Sequence, residues 1–500
     1  MTDALADPCS PQPVLARERD ARSAGALPVP RPAAAATGTT TGTTGTTGTT
    51  GLALVTDPAE GLRVTVRREL SSAPVPEWRA LAAAAGAPPF CGPDWLRAVH
   101  THLGSGDPLL VSVRRQGRLL AFGAFAVLPA TGASRPVVTS LGAGVSDYTT
   151  VLADPDAEVP AARLVAAVLD AVAGAVPGAV LDLEQVPADD PLLEPLALWA
   201  RARDHSVRLV PQAVVHAVPL PATVAEHDAA LGRRVRHEER RQWRRLAAAG
   251  RLEVVDDLLA RALAPAAGEP AAEAAAVAAL VEELAAVDAA HPRAAARRRP
   301  WRGASGRTLA DVLREAPRPV VQLSGLRVDG ELAAYTLCFA GPRALHGYLQ
   351  SYRARWAPYG PGTLLLLRVR RRAVLSGYRE LDLLRGEEAY KRRMERTTRR
   401  TVRVVAVPLS RGLVPGLVDR AAVLRRTYRD ELRRHERLAA AADAAGSARD
   451  AAASAAARAR DLLRATARRA GGTGGTGAAR GRARDGARAL APLRRALRRG

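Results

Sequence analysis

Lysine is almost missing from this chain: of 73 basic residues, Lys391 alone is lysine and the rest are arginine. Arginine is a rigid, permanently charged fork, whereas lysine is a compact ammonium that gives up its proton more readily. A background that writes arginine nearly everywhere, yet keeps one lysine beside Arg385, Glu387, Glu388 and Tyr390, points to a site that uses an ammonium. The alternative is a chance survivor on a solvated helix face, because structural charge networks also gather such residues. Cysteine is scarce too. Cys9, Cys91 and Cys338 are scattered, which suggests neither a disulfide framework nor a zinc site and fits a reducing cytoplasm. The histidines form no H-x-x-x-H or H-E-x-x-H pattern, so no metal is expected, and His346 reads as a packed strand histidine. A phosphate-binding G-x-x-x-x-G-K-[ST] loop is excluded because Arg392 follows the lysine, and no G-x-S-x-G elbow occurs. No apolar run is long enough to span a membrane; Ala161–Leu183 is broken by Arg163, Asp170 and Pro177. There is no basic segment followed by an apolar one of secretory type, and the expected location is cytoplasmic.

What is present is a long, basic chain of 500 residues with a formal charge of +23. That length suggests more than one domain. Much of the positive excess lies in residues 439–500, which are rich in Ala, Arg and Gly and poor in large apolar side chains. Such a segment cannot bury enough surface to offset its chain entropy, so a disordered basic tail able to contact polyanions nonspecifically is expected. Residues 1–61 form a Thr/Gly/Ala/Pro-rich arm, also expected to be disordered. Between these tails lie residues 62–222, an arginine-rich linking helix at 223–250, and residues 251–438.

The two larger pieces repeat one pattern. Pro93–Leu103 reads as a helix, and a hairpin follows from Leu109–Arg114 through Gln116-Gly117 to Arg118–Leu128. In the second piece Val320–Val328, Asp329-Gly330 and Glu331–Phe339 form the matching hairpin. Each hairpin leads to a strand (Val137–Leu141, Ala344–Ser351), a glycine-containing loop, a helix (Ala161–Ala173, Leu364–Ser376) and a short buried strand (Val180–Leu183, Glu380–Leu384).

This duplicated order resembles the GNAT acyltransferase fold as found in Fem-type peptidyl transferases. Pro88-Pro89-Phe90, Pro93-Asp94-Trp95-Leu96, Leu141-Gly142, Asp147-Tyr148, Tyr359-Gly360-Pro361-Gly362 and Asp382–Lys391 resemble the CelD-like branch, associated with polysaccharide or cellulose synthesis. Met394 departs from that pattern, where an aromatic is usual. The resemblance implies an α/β (α+β) fold of two tandem GNAT-like domains, mixed sheets flanked by helices, packed side by side. It also implies an acetyl-CoA or other acyl-CoA co-substrate and an amine or hydroxyl acceptor on a small or saccharide-linked molecule.

The residues carry matching chemistry. Gly360 and Gly362 let backbone approach a ligand, and a helix starting near Thr363 offers unpaired N–H groups. The resemblance makes Tyr359, Gly360, Pro361, Gly362 and Thr363 the pyrophosphate loop; a plain Pro/Gly turn is the alternative. Acyl transfer to an amine needs a base, a polarised carbonyl and an acid for the thiolate. Glu387 (with Glu388) and Asp147 are the candidate bases and Tyr390 the candidate acid. Arg385 and Lys391 are placed to hold an anionic substrate, Tyr148 to face the same cleft, and Asp382 to orient Arg385. Each carboxylate has the alternative of a helix cap or structural ion pair. Arg233, Arg236, Arg240 and Arg244 recur at helical spacing and bind phosphates or, more simply, line a solvated helix partly paired with Glu238 and Glu239. Two further readings stay open: an aminoacyl-tRNA-dependent transferase of Fem type, and a non-catalytic scaffold.

Overall fold

A computed structural model describes residues 51–55, 61–104, 106–130, 135–296, 299–318, 320–386, 389–394 and 397–409. The first half runs β1 (Gly51–Val55), β2 (Leu62–Arg67), α1 (Val75–Ala84), α2 (Pro93–Leu103), β3 (Asp107–Arg115), β4 (Arg118–Leu128), β5 (Val137–Ser140), β6 (Leu152–Ala153), α3 (Ala161–Ala175), β7 (Val180–Pro187), α4 (Leu193–Ala202) and β8 (His205–Pro219). Helices α5 (Val224–Ala230) and α6 (Gly232–Ala249) lead to the second half. It contains β9 (Leu252–Val255), α7 (Leu258–Leu263), α8 (Pro270–Ala289), α9 (Gly303–Glu315), β10 (Val321–Val328), β11 (Glu331–Ala340), β12 (Ala344–Tyr352), α10 (Pro361–Leu375), β13 (Glu380–Arg385), α11 (Ala389–Met394) and β14 (Thr397–Pro408). The expected basic tail lies outside the described residues. Within the expected N-terminal arm, Gly51–Val55 forms an edge strand antiparallel to β2.

The mixed α/β architecture is the expected one, with a difference in how the halves join. The strands form one continuous sheet in the order β1-β2-β3-β4-β5-β7-β14-β8-β13-β12-β11-β10-β9, with β6 on the side of β4. The last strand of each half has crossed over: β14 pairs with β7, and β8 pairs with β13. Strands β8 and β14 also pair with each other, from Thr397↔Ala217 to Pro408↔His205. Each half therefore completes the other's sheet.

Local chemistry explains the elements. Both hairpins turn on residue pairs with positive φ, Gln116 (49°) with Gly117 (85°) and Asp329 (52°) with Gly330 (82°). That geometry matches the twist of the flanking strands. Helix α3 buries Leu164, Val165, Val168, Leu169 and Val172 on one stripe against the first-half sheet. Helix α10 starts at Pro361, three residues before the leucine run on which the sequence reading opened it, because proline favours a first helical position. Its leucines 364–367 are all buried, too wide an arc for a single stripe. They are accommodated because α10 lies between the strands β10–β13 and the helices α5 and α6.

The largest core cluster crosses the halves. Phe90, Trp95 and Tyr148 of the first pack with Leu337, Phe339 and Leu384 of the second. Burying side chains of this size contributes about 1.5–3 kcal/mol each. The half-buried pair His102–Asp311, at 2.6 Å, links α2 to α9 along the same seam.

Candidate active site

Strands β12 and β13 run parallel only over Ala344↔Glu380, Leu345↔Leu381 and His346↔Asp382, and then part. Both strands carry an extra residue where they separate. On β12, Gly347 faces Cys338 while Leu349 faces Leu337, so Tyr348 is the bulged residue. On β13, pairing with β8 jumps from Asp382↔Ala217 to Arg385↔Val215. Bulges bend strands and re-aim side chains, and here two of them open a fork in the sheet.

Asp382 sits at the vertex, 1% exposed. Its Oδ2 accepts a 2.6 Å hydrogen bond from the Tyr148 hydroxyl, and its Oδ1 accepts one of 2.7 Å from the Leu384 N–H. His346 Nδ1 lies 3.5 Å from Oδ2, an electrostatic contact longer than a well-formed hydrogen bond. Burial pushes the Asp382 carboxyl up, but His346, the Tyr148 hydroxyl and the Leu384 amide together outweigh it and hold the group below the ordinary carboxylate range. Tyr148 moves the other way: burial, then the Asp382 charge, drives its hydroxyl well above its ordinary value. The ring of Phe90 braces Tyr148 and His346, with centroids 6.4 and 6.0 Å away.

Arg385 does not pair with Asp382, as the sequence suggested. Its Nε meets Asp147 Oδ1 at 2.5 Å, and a terminal nitrogen donates to the Val145 carbonyl at 3.2 Å. The bulge explains the change, since it lifts Arg385 out of register toward the first-half loop between β5 and β6. Burial raises the Asp147 carboxyl, while Arg385 and Lys391 draw it down. Lys391, on α11, is buried and donates to the Arg385 carbonyl at 2.7 Å. Tyr390 precedes it and packs against a core that includes Leu345 and Leu381. Glu387 and Glu388 lie outside the described residues.

The expected pyrophosphate loop lies beyond the fork, where β12 passes through a short 3-10 turn, Ala354–Tyr359, into α10. Gly360 caps the helix with φ 64°, and an added Cβ would sit 3.0 Å from Gln242 Oε1, so a side chain there is opposed by both backbone and space. Gln350 Nε2 donates to the Gly362 carbonyl at 2.5 Å and anchors the helix start to β12. Pro361 has no N–H. Gly362 and Thr363 have theirs in the first turn, where no intrahelical acceptor exists. Thr363 is exposed, no acidic residue occupies that turn, and the Arg245 guanidinium lies 5.4 Å from the Tyr359 ring centre. On α6, Arg233, Arg240 and Arg244 are exposed, and Glu238 is paired with Arg241 instead of with a stripe residue.

His346 is the site residue that the sequence reading set aside as packing. The repeat itself held the signal: Thr139↔Asp182 in the first half occupies the register of His346↔Asp382 in the second. The first-half aspartate is disposed differently. Arg403 of β14 grips Asp182 through two bonds of 2.6 and 2.7 Å, with both groups buried. The segment before α3 carries Asp154, Asp156 and Glu158 where the segment before α10 carries Arg353 and Arg355. Among the described residues, no group of three His, Cys, Asp or Glu side chains converges as a metal site would require, and no helix is long and apolar enough to cross a membrane.

Residues 233–392 match the family model of the acetyltransferase (GNAT) domain. The second half thus holds a GNAT-type domain, and the duplicated architecture carries it within a larger mixed sheet. No curated protein matches the chain. Among solved structures it resembles FemX at 11% identity, covering 67% of this chain and 96% of that one, with a TM-score of 0.42. L-PGS from Bacillus licheniformis is 15% identical over 65% and 94% of the two chains, with a TM-score of 0.37. A tandem GNAT protein from the clavulanic acid biosynthesis pathway is 15% identical over 72% and 99%, with a TM-score of 0.35.

Proposed function

We propose that this protein is an acyltransferase that moves an acyl group, acetyl in the simplest case, from acyl-CoA to an amine or hydroxyl of a sugar-related or cell-envelope precursor. The observation that carries the proposal is the β12/β13 fork with the start of α10 at its mouth, in the domain matched by the GNAT model. The donor pyrophosphate rests on Tyr359–Thr363, where the Gly362 and Thr363 amides and the helix dipole favour an anion and the first turn carries no acidic residue. The thioester then reaches into the fork.

Asp147 or Glu387 takes the proton of the acceptor, whose lone pair attacks the thioester carbonyl. Tyr390, on the helix after β13, gives its proton to the departing thiolate. Burial supports Asp147 as a base, since a carboxyl raised above its ordinary range holds a proton more readily.

One donor binds per chain in this reading. In the first half, the segment before α3 carries carboxylates, Asp154 and Glu158 paired with Arg118 and Arg115, where the segment before α10 carries arginines, and Arg403 locks Asp182. The first half serves the acceptor side through Asp147 and Tyr148. Calorimetric titration of the full chain with acetyl-CoA and with desulfo-CoA tests the reading. Micromolar binding of both with one ligand per chain supports it. No binding at millimolar ligand turns the assignment to the second reading, an aminoacyl-tRNA donor, which the exposed arginines of α6 suit.

A further inference from the structure

Tyr148 and Asp382 are 4% and 1% exposed, and the Tyr148 hydroxyl is spent on Asp382 at the vertex of the fork. We propose that they are positioning residues: a closed ring of contacts, Tyr148–Asp382–Leu384–Arg385–Asp147, spans the two halves and holds Arg385 and Lys391 in place for catalysis. The inference deepens the acyltransferase reading and rests on it.

The ring can be followed bond by bond. The Tyr148 hydroxyl ties down one oxygen of Asp382, and the other oxygen accepts the Leu384 amide. Leu384 has φ 59°, a left-handed conformation that a leucine adopts only when its surroundings enforce it. That residue is the bulge, and the bulge turns Arg385 out of the strand. Arg385 then returns to the first half through Asp147 and the Val145 carbonyl, closing the ring beside Tyr148. The Arg385 carbonyl, fixed by the same bulge, accepts the Lys391 ammonium. Tyr148 is itself clamped from outside the ring: Phe90 faces its ring, and the Cys91 thiol donates to its carbonyl at 3.7 Å. Removing the phenolic oxygen therefore opens the ring at Asp382 Oδ2, while Oδ1 keeps the Leu384 amide and the aromatic ring keeps Phe90, and the slack passes to Arg385 and Lys391.

The sequence supplies its own reporter, because Lys391 is the only lysine in the chain. Full-length protein grown with carbon-13-labelled lysine gives a single side-chain resonance from this site. In Tyr148→Phe that resonance is expected to shift, and in Asp147→Asn, which opens the ring at its other end, to shift as well. Leu196→Ala, a core change on α4 in a separate hydrophobic cluster of the first half, leaves it in place. With acetyl-CoA alone as the probe, release of free CoA by Tyr148→Phe should fall at least tenfold in kcat while KM for acetyl-CoA stays within twofold. A purely structural role would lower stability without that split. If the lysine resonance is the same in wild type, Tyr148→Phe and Asp147→Asn, the positioning role is overturned. If wild type neither binds nor hydrolyses acetyl-CoA, the acyltransferase reading fails by itself, and the lysine resonance still decides whether the ring exists.

Discussion

Tyr148 and Asp382 stand 234 positions apart in the chain and are joined by a buried 2.6 Å hydrogen bond at the vertex of the fork. The bond makes the candidate site a joint product of both halves, although the GNAT match covers the second. The exchange of β8 and β14 serves the same end, since it fixes the first-half loop against β13 through a continuous sheet.

Thr363→Asp should separate folding from donor binding by moving them in opposite directions. A carboxylate in the first turn of α10 favours the helix dipole by about 0.3–1 kcal/mol. The same charge opposes a pyrophosphate on the exposed start of the helix. The thermal midpoint is expected to hold or rise while acetyl-CoA affinity falls more than tenfold. Unchanged affinity would remove the pyrophosphate from this loop.

Arg403→Met should be severe because it removes the guanidinium that grips buried Asp182 through two bonds and lies 3.7 Å from Glu184. Breaking one side of a buried pair costs about 3–5 kcal/mol. Chemical denaturation should show that loss, and the double change Arg403→Met with Asp182→Leu should recover much of it. A loss below about 1 kcal/mol would mean that the exchanged strand is held by its backbone ladder alone.

Acid stability should respond to Asp382 and Asp147 in opposite senses. The folded Asp382 carboxyl lies below its ordinary value, so its contribution is present above about pH 3.9 and is lost as pH falls through the lower folded value. The folded Asp147 carboxyl lies above its ordinary value, so its contribution is present below about pH 3.9 and is lost as pH rises through the higher folded value. Urea midpoints measured across the acid range should therefore fall less steeply with acid in Asp382→Asn and more steeply in Asp147→Asn than in wild type. Matching slopes in all three would contradict these assignments.

Gly142→Ala should disable the site from outside the donor domain. A Cβ at Gly142 would collide with the Ser146 hydroxyl and come within 2.8 Å of Leu96. Ser146 accepts from the Trp95 indole at 3.0 Å, so the loop has no easy retreat. The expected result is retained acetyl-CoA binding with at least a tenfold loss of turnover. Equal turnover would show that loop placement is not needed.

Much of the fold was legible because its signals are local. Pro93–Leu103 and Arg118–Leu128 match the expected helix and strand end for end, and the turns at Gln116-Gly117 and Asp329-Gly330 carry their own dihedral demand. The strand exchange was not legible. Strands β8 and β14 have similar apolar patterns, and nothing in either specifies a partner across the other half. For the site, the loop before α10 followed from strand–loop–helix order, whereas the fork did not, because it arises from two bulges that the apolar pattern does not mark. The partner of Arg385 did not, because Asp147 is brought there by tertiary packing and by a bulge that shifts the register by one residue. His346 reads as an ordinary strand residue until its register with Asp382 is seen.

The most direct test of the account is calorimetric titration of the full chain with acetyl-CoA, beside the same titration of Thr363→Asp. One micromolar site per chain is expected in the wild type, and loss of that site with the fold intact in the variant. Binding that survives Thr363→Asp, or two equivalent sites per chain, would contradict that expectation.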